Sequence, residues 1–235
     1  YSNGPTIMDV CLSMLRASSR PVLIVGNGVR LAGAESQIRD LVDKLGIPVI
    51  SSWTAADMVA DLPQHIGHMG IFGDRASNFT VQNADLLLVI GCRLSIPMIG
   101  YNFAKFAPNA KIIMVDVDES EIRKPSLHVD LAIVADAKEF ICQLLRQPPA
   151  IHLHHEWVMR CQAWARKYPI CLPEYADEKN GVNSYFFIDL LSKILPDDAI
   201  VVVGTGTSFT CTFQAAKMKK GQRWISAAGH SPMGY

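Results

Sequence analysis

The sequence lacks the features of a membrane-spanning, secreted or metal-binding protein. No run of about 18 apolar residues is present, so no segment predicts a membrane-spanning helix. No basic stretch followed by an apolar stretch, as in a signal peptide, is found at the N-terminus. The six cysteines include no Cys-x-x-Cys pair and no spacing typical of a zinc or disulfide framework. We therefore expect reduced thiols, a cytoplasmic location, no membrane partner and no metal ligands in this chain.

The chain also lacks an excess of charge of either sign. Lys and Arg total 22, Asp and Glu total 22, and the formal net charge is zero. A chain without a basic surface is not expected to bind nucleic acid. Hydrophobic residues make up 49% of the 235 residues and the mean hydropathy is +0.17. This composition indicates surface that is buried against other domains or subunits.

Common catalytic signatures are absent too. The sequence contains no nucleophile elbow, no Walker A loop, no His-Glu-x-x-His motif and no paired-carboxylate motif. We therefore expect no catalytic residue in this chain.

The apolar pattern predicts an α/β fold. Runs rich in Val, Ile and Leu alternate with amphipathic stretches, which is typical of a parallel sheet covered by helices on both faces. We predict a doubly wound, Rossmann-like sheet over residues 20–147. The predicted strands are 21–25, 47–50, 85–90, 111–117 and 131–134; the predicted helices are 6–18, 32–45 and 136–147. Residues 54–82, interrupted by glycines, are predicted to be irregular.

Composition divides the chain into four predicted segments. Residues 1–19 form a linker and leading helix, 20–147 the central domain, and 148–183 a linker that begins near Pro148-Pro149 and contains a Trp-rich helix. Residues 184–235 begin a second α/β unit with a helix at 184–195 and a strand at 199–203. This unit has too few strands to close its own core, so we expect it to be incomplete and the chain to be part of a larger protein.

Two glycine turns follow predicted strands. Gly204-Thr205-Gly206 lies between a strand and a predicted helix, a geometry that presents backbone N–H groups to a phosphate. Gly26-Asn27-Gly28 follows the first strand and resembles half of a dinucleotide fingerprint. Leu31 occupies the position of the third glycine, and no acidic residue ends the second strand. The pattern therefore disfavours NAD(P), and leaves open either a plain tight turn or a different nucleotide.

Polar residues also follow the third and fourth predicted strands. Arg93 offers a planar donor group to phosphate, and Asp116 or Asp118 could accept hydrogen bonds from a ribose. Together with Gly26 and Gly28 they form a candidate nucleotide-binding rim, because the carboxyl ends of parallel strands meet at one edge. The alternative is that the two aspartates cap a helix starting near Glu119.

His65 and His68 lie in the glycine-rich segment, where they could face a ligand. Lone histidines are more often structural.

Several ordered motifs resemble one family of enzymes. They are Arg20-Pro21-Val22-Leu23-Ile24-Val25-Gly26-Asn27-Gly28, Gly46-Ile47-Pro48-Val49, His68-Met69-Gly70-Ile71-Phe72-Gly73, residues 84–93, residues 112–118, Arg223-Trp224-Ile225-Ser226 and Met233-Gly234-Tyr235. Over essentially its whole length the chain is similar to thiamine-diphosphate-dependent enzymes of the acetolactate synthase family. The resemblance implies a central domain followed by the start of the pyrophosphate-binding domain.

The resemblance also implies site residues. Gly206, Thr207 and Ser208 match a turn that contacts the diphosphate, Gly229 a backbone contact to the aminopyrimidine, and Met233 the residue that supports the bent cofactor. The family's catalytic glutamate and its Mg²⁺ ligands match no part of this chain. Relatives that bind FAD commonly have acidic residues after Gly-x-Arg, whereas Arg93 is followed by Leu94-Ser95-Ile96-Pro97. FAD at Gly26, Gly28, Arg93 and Asp116 is therefore only a possible cofactor.

The function implied is decarboxylation or carboligation of a 2-keto acid, with pyruvate as the expected donor, by a homodimer or homotetramer that uses thiamine diphosphate and Mg²⁺. The isolated chain is expected to be inactive. Two alternatives remain: a non-catalytic module that binds FAD or ADP, and an NAD-dependent dehydrogenase domain.

Overall fold

The computed structural model describes residues 4–148, 154–227, 229, 230 and 232. The strands in this part are β1 Pro21–Val25, β2 Val49–Ser51, β3 His65–His68, β4 Leu86–Ile90, β5 Lys111–Asp116, β6 Leu131–Val134, β7 Ile200–Val203 and β8 Arg223–Ser226. The α-helices are α1 Ile7–Ala17, α2 Gly28–Leu31, α3 Glu35–Leu45, α4 Ala56–Val59, α5 Arg75–Asn83, α6 Ile96–Ile99, α7 Glu119–Ile122, α8 Ala137–Arg146, α9 His155–Lys167, α10 Ser184–Ile194 and α11 Thr207–Ala215. None of these helices is long and apolar enough to cross a membrane.

Six parallel strands form the main sheet, in the order β3-β2-β1-β4-β5-β6. The chain leaves β1 in one direction through β2 and β3, and then returns to the other side of β1 with β4, β5 and β6. This arrangement confirms the predicted doubly wound α/β fold. The direction of winding changes between β1 and β4, which is where open α/β sheets form a crevice for ligands.

Alternate side chains of each central strand point to opposite faces of the sheet. Leu23 and Val25 of β1 pack with helices α1, α3 and α8, whereas Val22 and Ile24 pack with α5 and α9. Every residue of β1 and β4 is buried. Burial on both faces explains why these strands are continuous apolar runs in the sequence.

Local signals set the ends of two helices. Thr6 caps α1, since its hydroxyl accepts the Asp9 N–H at 3.1 Å while the Asp9 carboxylate accepts the Thr6 N–H at 2.9 Å. Gly46 ends α3 with φ of 59°, which confirms the helix stop predicted at this glycine.

The prediction that residues 54–82 are irregular is wrong. This segment contains α4, strand β3 and helix α5. The strand was missed because it is His-Ile-Gly-His, with one aliphatic residue, a glycine at φ of 139° and a register shift against β2. The helix was missed because it buries small residues, namely Ala76, Ser77, Thr80 and Val81.

Helix α9 packs on the main sheet, although it lies within the segment predicted as a linker. Its Trp157 and Cys161 are buried in the same core as Val89 and Met114. The Trp157 indole Nε1–H donates to the Pro21 carbonyl at 3.1 Å, where β1 begins. The described part of residues 148–183 therefore includes a helix of the first core.

Residues 184–227 form a second, smaller layer. Strands β7 and β8 are parallel, with Val201 opposite Trp224 and Val203 opposite Ser226. Helix α11 packs on β7 and helix α10 packs on α11, while Phe187, Leu190, Ile194, Ile200 and Val202 remain exposed. The apolar cluster of this layer contains Phe209, Phe213 and Trp224, and it includes Ala56 from α4.

One buried carboxylate connects the two layers. Asp57 of α4, whose side chain is 1% exposed, accepts from Arg223 Nη1 at 2.6 Å and from the Trp224 backbone N–H at 2.9 Å. Arg30 of α2 also bonds to the Asp57 carboxylate. A buried carboxylate is stable when it is paired and hydrogen-bonded on both oxygens, as it is here.

We expect Asp57→Asn to reduce the free energy of unfolding by about 3 kcal/mol, because it leaves the partly buried Arg223 guanidinium without a counter-charge and Arg30 with Glu35 alone, at 3.5 Å. The matched control is Glu119→Gln, which breaks the exposed ion pair with Arg123 and should cost less than about 1 kcal/mol. Urea denaturation followed by tryptophan fluorescence measures both. Equal effects for the two variants would contradict the assigned role of Asp57.

Candidate cofactor-binding sites

The Gly26-Asn27-Gly28 turn lies in the crevice between β1 and β4, packed against the end of β4. A Cβ atom on Gly26 would lie 2.0 Å from the Gly91 carbonyl oxygen and 2.4 Å from the Cys92 Cα. A Cβ on Gly28 would lie 2.7 Å from the Gly91 Cα. Backbone therefore packs directly on backbone, and this contact alone requires both glycines.

The N–H groups of the same two glycines bond within the chain. The Gly26 N–H donates to the Ile90 carbonyl at 3.0 Å, and the Gly28 N–H donates to the Gly91 carbonyl at 2.9 Å. Helix α2 then ends after a single turn at Leu31, which is 83% exposed. The turn thus has the geometry of a tight strand-to-helix connection, and these two amides are not available to a phosphate.

Arg93 and Asp116 lie at the same edge of the sheet. The Arg93 side chain is 73% exposed, and its Nε lies 3.5 Å from Glu121 Oε1. Asp116 accepts the Asp118 N–H at 3.1 Å, and Asp118 caps α7 by accepting the Ser120 N–H at 2.9 Å. The hydrogen bonds from Ser120 lower the pKa of Asp118. The structure confirms that Asp118 caps the helix. Arg93 supplies the exposed side-chain donor of this rim.

The second glycine turn has a different environment. Gly206 adopts φ of 74° and ψ of −140°, which favours glycine, and a Cβ on it would meet no atom within 4 Å. Thr207 and Ser208, which begin α11, are exposed. The first-turn N–H groups of a helix have no partner within the helix and carry partial positive charge. The start of α11 can therefore bind an anion such as a phosphate.

Gly229 follows the strand next to this turn. Because β7 and β8 are parallel neighbours, the Gly206 turn after β7 and Ala227 after β8 leave the same edge of the sheet. Gly229 is exposed, and the His230 N–H donates to the Ala227 carbonyl at 2.9 Å. Gly206, Thr207, Ser208 and Gly229 are thus presented at one edge, whereas Met233 lies outside the described residues.

A buried polar cluster on β2 and β3 was only partly anticipated. Ser51 Oγ lies 2.9 Å from His65 Nε2 and 2.9 Å from His68 Nδ1, so one hydroxyl bonds to both rings. Burial lowers the pKa of His65 to about 3 and also lowers the pKa of His68. Both rings are therefore neutral near neutral pH.

Asp74 belongs to the same cluster. Its Oδ2 accepts the His68 N–H at 3.1 Å and lies 3.4 Å from Ser77 Oγ, while burial raises the pKa of the carboxyl group. The sequence signal for this group was the His-x-x-His spacing at 65–68. A strand with a glycine and a register shift brings the two histidines to the same hydroxyl, which alternation in a regular strand would not do.

The chain is similar to a known enzyme family and to its curated members. The family model for "Thiamine pyrophosphate enzyme, central domain" matches residues 8–144. The large subunit of acetolactate synthase isozyme 1 from Escherichia coli K12 is 32% identical over 229 residues, covering 95% of this chain and 38% of the relative. Acetolactate synthase from Mycobacterium bovis is 30% identical (94% of this chain, 36% of the relative), as is the large subunit from Corynebacterium glutamicum (97% and 37%). The chain therefore spans less than two fifths of the length of these relatives.

We expect Gly26→Ala to lower the free energy of unfolding by about 3 kcal/mol or more, because backbone atoms cannot yield to the new methyl group. Gly204→Ala is the matched control, since its Cβ would meet only Ser208 Oγ at 3.7 Å; it should change stability by less than about 1 kcal/mol. Thermal unfolding by circular dichroism measures both variants. Wild-type stability in Gly26→Ala would show that the turn does not pack as described.

Acidification should destabilise the protein through His65. Its pKa is lower in the folded state than in the unfolded state, so its contribution is complete above the ordinary histidine pKa and is lost as pH falls toward about 3. Below about pH 6 this loss reaches about 1.4 kcal/mol per pH unit. His65→Gln should have a shallower dependence between about pH 7 and about pH 5.

His128→Gln is the control, because the side chain of His128 is 88% exposed. Asp74 has the opposite effect on stability, because its raised pKa adds stability as the pH falls. Its contribution is the same in all three proteins, so it does not affect the comparison. Urea denaturation at each pH gives the comparison. Parallel curves for wild type and His65→Gln would exclude a buried neutral His65.

Proposed function

The chain belongs to the thiamine pyrophosphate enzymes, as their central domain, and we propose on this premise that it works in a 2-keto acid decarboxylase or carboligase. Similarity to acetolactate synthases along 94 to 97% of the chain supports the carboligase reaction and pyruvate as donor. In this proposal residues 184–235 begin the domain that binds the diphosphate.

One observation carries the assignment of the site: the Gly206 turn and Gly229 leave the same edge of the β7-β8 sheet. The exposed start of α11 fits a diphosphate, because its first-turn N–H groups and the Thr207 hydroxyl are donors that an anion requires. The Ser208 hydroxyl donates to the Thr205 carbonyl at 2.9 Å. Gly229 is proposed to contact the aminopyrimidine through its backbone, and Met233 to support the bent cofactor. The proposed contacts place the negatively charged end of the cofactor at the positive end of a helix.

Bound thiamine diphosphate supplies the electron sink that carbanion chemistry on a 2-keto acid needs. The residues of this chain contribute binding and orientation. The α11 turn holds the diphosphate, and the Asp57 contacts fix β8 and hence the start of the segment that carries Gly229 and Met233. Orientation of this kind accounts for several kcal/mol of barrier reduction in general.

The catalytic acid–base group and the Mg²⁺ ligands are proposed to come from other parts of the complete protein. We also propose that the active protein is a homodimer or homotetramer. The exposed apolar side chains of α10 and β7 support a further contact there, because such a group of side chains is usually covered. The six free thiols suit the reducing cytoplasm.

A bound nucleotide such as FAD is the second candidate, at the rim of Gly26, Gly28, Arg93 and Asp116. The exposed guanidinium of Arg93 at the switch between β1 and β4 favours it. The two glycines add no support, since their N–H groups and the space beside them are taken by residues 90–92. Any nucleotide here would be bound mainly through side chains.

We expect the complete protein to release carbon dioxide from pyruvate when thiamine diphosphate and Mg²⁺ are present, and the 235-residue chain alone to release none. Gly206→Ala in the complete protein should lower turnover at least about tenfold, because the strained turn would misplace the donors of α11. Gly33→Ala is the control: Gly33 also has positive φ, at 62°, and has no neighbouring atom at its Cβ position.

Carbon dioxide release follows the reaction in a coupled spectrophotometric assay. Turnover by the chain alone would refute the proposal that the catalytic acid–base group and the Mg²⁺ ligands come from other parts of the complete protein. Absence of turnover in the complete protein with any of a panel of 2-keto acids would refute the proposed activity.

Mass spectrometry of small molecules released by denaturation tests the second candidate. Recovery of FAD that is lost in Arg93→Met would assign the rim as its site. If no nucleotide is recovered, the proposal of an FAD site at this rim is wrong.

A further inference from the structure

A cavity of about 640 Å³ lies between the edge strand β3 and the second layer. It is bordered by β3, the start of α5, residues 168–173 and helices α10 and α11. Six of its lining residues carry the argument: Asp74, Phe186, Lys193, Phe213, Lys217 and Met218. Its volume is in the range of small-molecule sites, and no residue of the two glycine turns lines it.

Asp74 lines this cavity, and its carboxyl group has one buried acceptor without a partner in the described part of the chain. Its Oδ2 is occupied by the His68 N–H and Ser77, but its Oδ1 is buried and has no hydrogen-bond partner among the residues that the structure describes. An unsatisfied buried acceptor costs about 1–3 kcal/mol. A cation bound beside this carboxyl group would offset part of the cost.

Cationic groups lie at the exposed side of the same cavity. Lys217 is exposed and forms no salt bridge in the described part of the chain, whereas Lys193 is paired with Asp189. A second hollow of about 490 Å³ shares Lys193, Lys217 and Met218, and adds Lys219 and Lys220 next to Asp61 and Asp197. The exposed side therefore favours an anionic group.

Between the two ends the lining is mainly apolar. Ile66, Phe186, Phe213 and Met218 contribute side chains to it. An aliphatic body would fill this space with the gain expected for burial of apolar surface. The lining thus has an acidic acceptor, an apolar middle and a basic side.

We propose that this cavity binds a small aliphatic zwitterion, with its ammonium group beside the Asp74 carboxyl group and its anionic group beside Lys217. An ammonium group is favoured over a hydroxyl because it supplies both a hydrogen bond and a counter-charge to a buried carboxylate. The site uses residues of this chain alone and does not depend on thiamine diphosphate.

Isothermal titration calorimetry of the 235-residue chain with ε-aminocaproate tests the proposal. Caproate lacks the ammonium group, hexylamine lacks the carboxylate, and ε-hydroxycaproate replaces the ammonium group with a hydroxyl. Each should bind roughly tenfold more weakly than ε-aminocaproate, the loss expected for one charge-assisted hydrogen bond. γ-Aminobutyrate shows whether the separation of the two charges matters.

Two variants locate the site. Asp74→Asn and Lys217→Met should each weaken binding of ε-aminocaproate roughly tenfold, and Lys138→Met, an exposed lysine on α8, should leave it unchanged. Lys217 is exposed, so its variant separates binding from folding if Asp74→Asn is unstable.

Proton release on binding distinguishes a specific contact of the ammonium group with Asp74 from nonspecific binding. Because burial raises the pKa of Asp74, a bound cation should displace a proton from it in mildly acidic buffer. The other titratable or charged groups that line the cavity are His65, His68, Tyr168, Cys171, Asp189, Lys193 and Lys217, and burial lowers the pKa of both histidines. The heat of binding should then depend on the ionisation enthalpy of the buffer, and Asp74→Asn should abolish this dependence.

Absence of binding for the whole series would overturn the proposal. Equal affinity for ε-hydroxycaproate would overturn the ammonium assignment, and unchanged affinity in Lys217→Met would overturn the position of the anion.

Discussion

The arrangement of the whole molecule depends on the carboxylate of Asp57. It is the point at which α2 and α4 of the first layer meet β8 of the second, through two guanidinium groups and one backbone N–H. The Trp53–Phe72–Phe209 aromatic cluster, with ring centroids 5.2 to 6.1 Å apart, lies at the same junction. Apolar contacts of this kind tolerate sliding, whereas a buried ionic contact with defined partners does not. The position of the β7-β8 edge, where we propose the cofactor binds, relative to the main sheet follows from this contact.

Both glycine turns follow a strand and precede a helix, but they serve different purposes. At Gly26 and Gly28 the missing side chains let β1 and β4 loops touch, so the crevice is closed by the chain's own backbone. At Gly206 the space beside the turn is empty, and the helix that follows begins with exposed hydroxyls. Similar local sequences therefore produce a backbone contact in one layer and, in the other, an open edge that we propose as the diphosphate site.

Sequence reasoning succeeded where a pattern is local and failed where partners are distant. Strands β1, β4 and β5 were predictable because burial on both faces demands uninterrupted Val, Ile and Leu. Edge strand β3 has one neighbouring strand and carries histidines, so its composition resembles a loop. Asp57 was missed because its partners are 27 and more than 160 residues away in the chain. The glycine turn at 26–28 was recognised, but its reason, contact with Gly91, was not visible in the sequence.

The hydrogen bond from the Trp157 indole to the Pro21 carbonyl joins α9 to the first strand of the central domain. Similarity to the family's central domain ends at residue 144, yet the first core is closed by a helix that begins at His155. The segment that matches the family model and the segment that closes the first hydrophobic core therefore end at different residues. Residues 8–144 alone would leave uncovered the part of the second face on which Trp157 and Cys161 pack, so a unit with a closed core has to extend to Lys167.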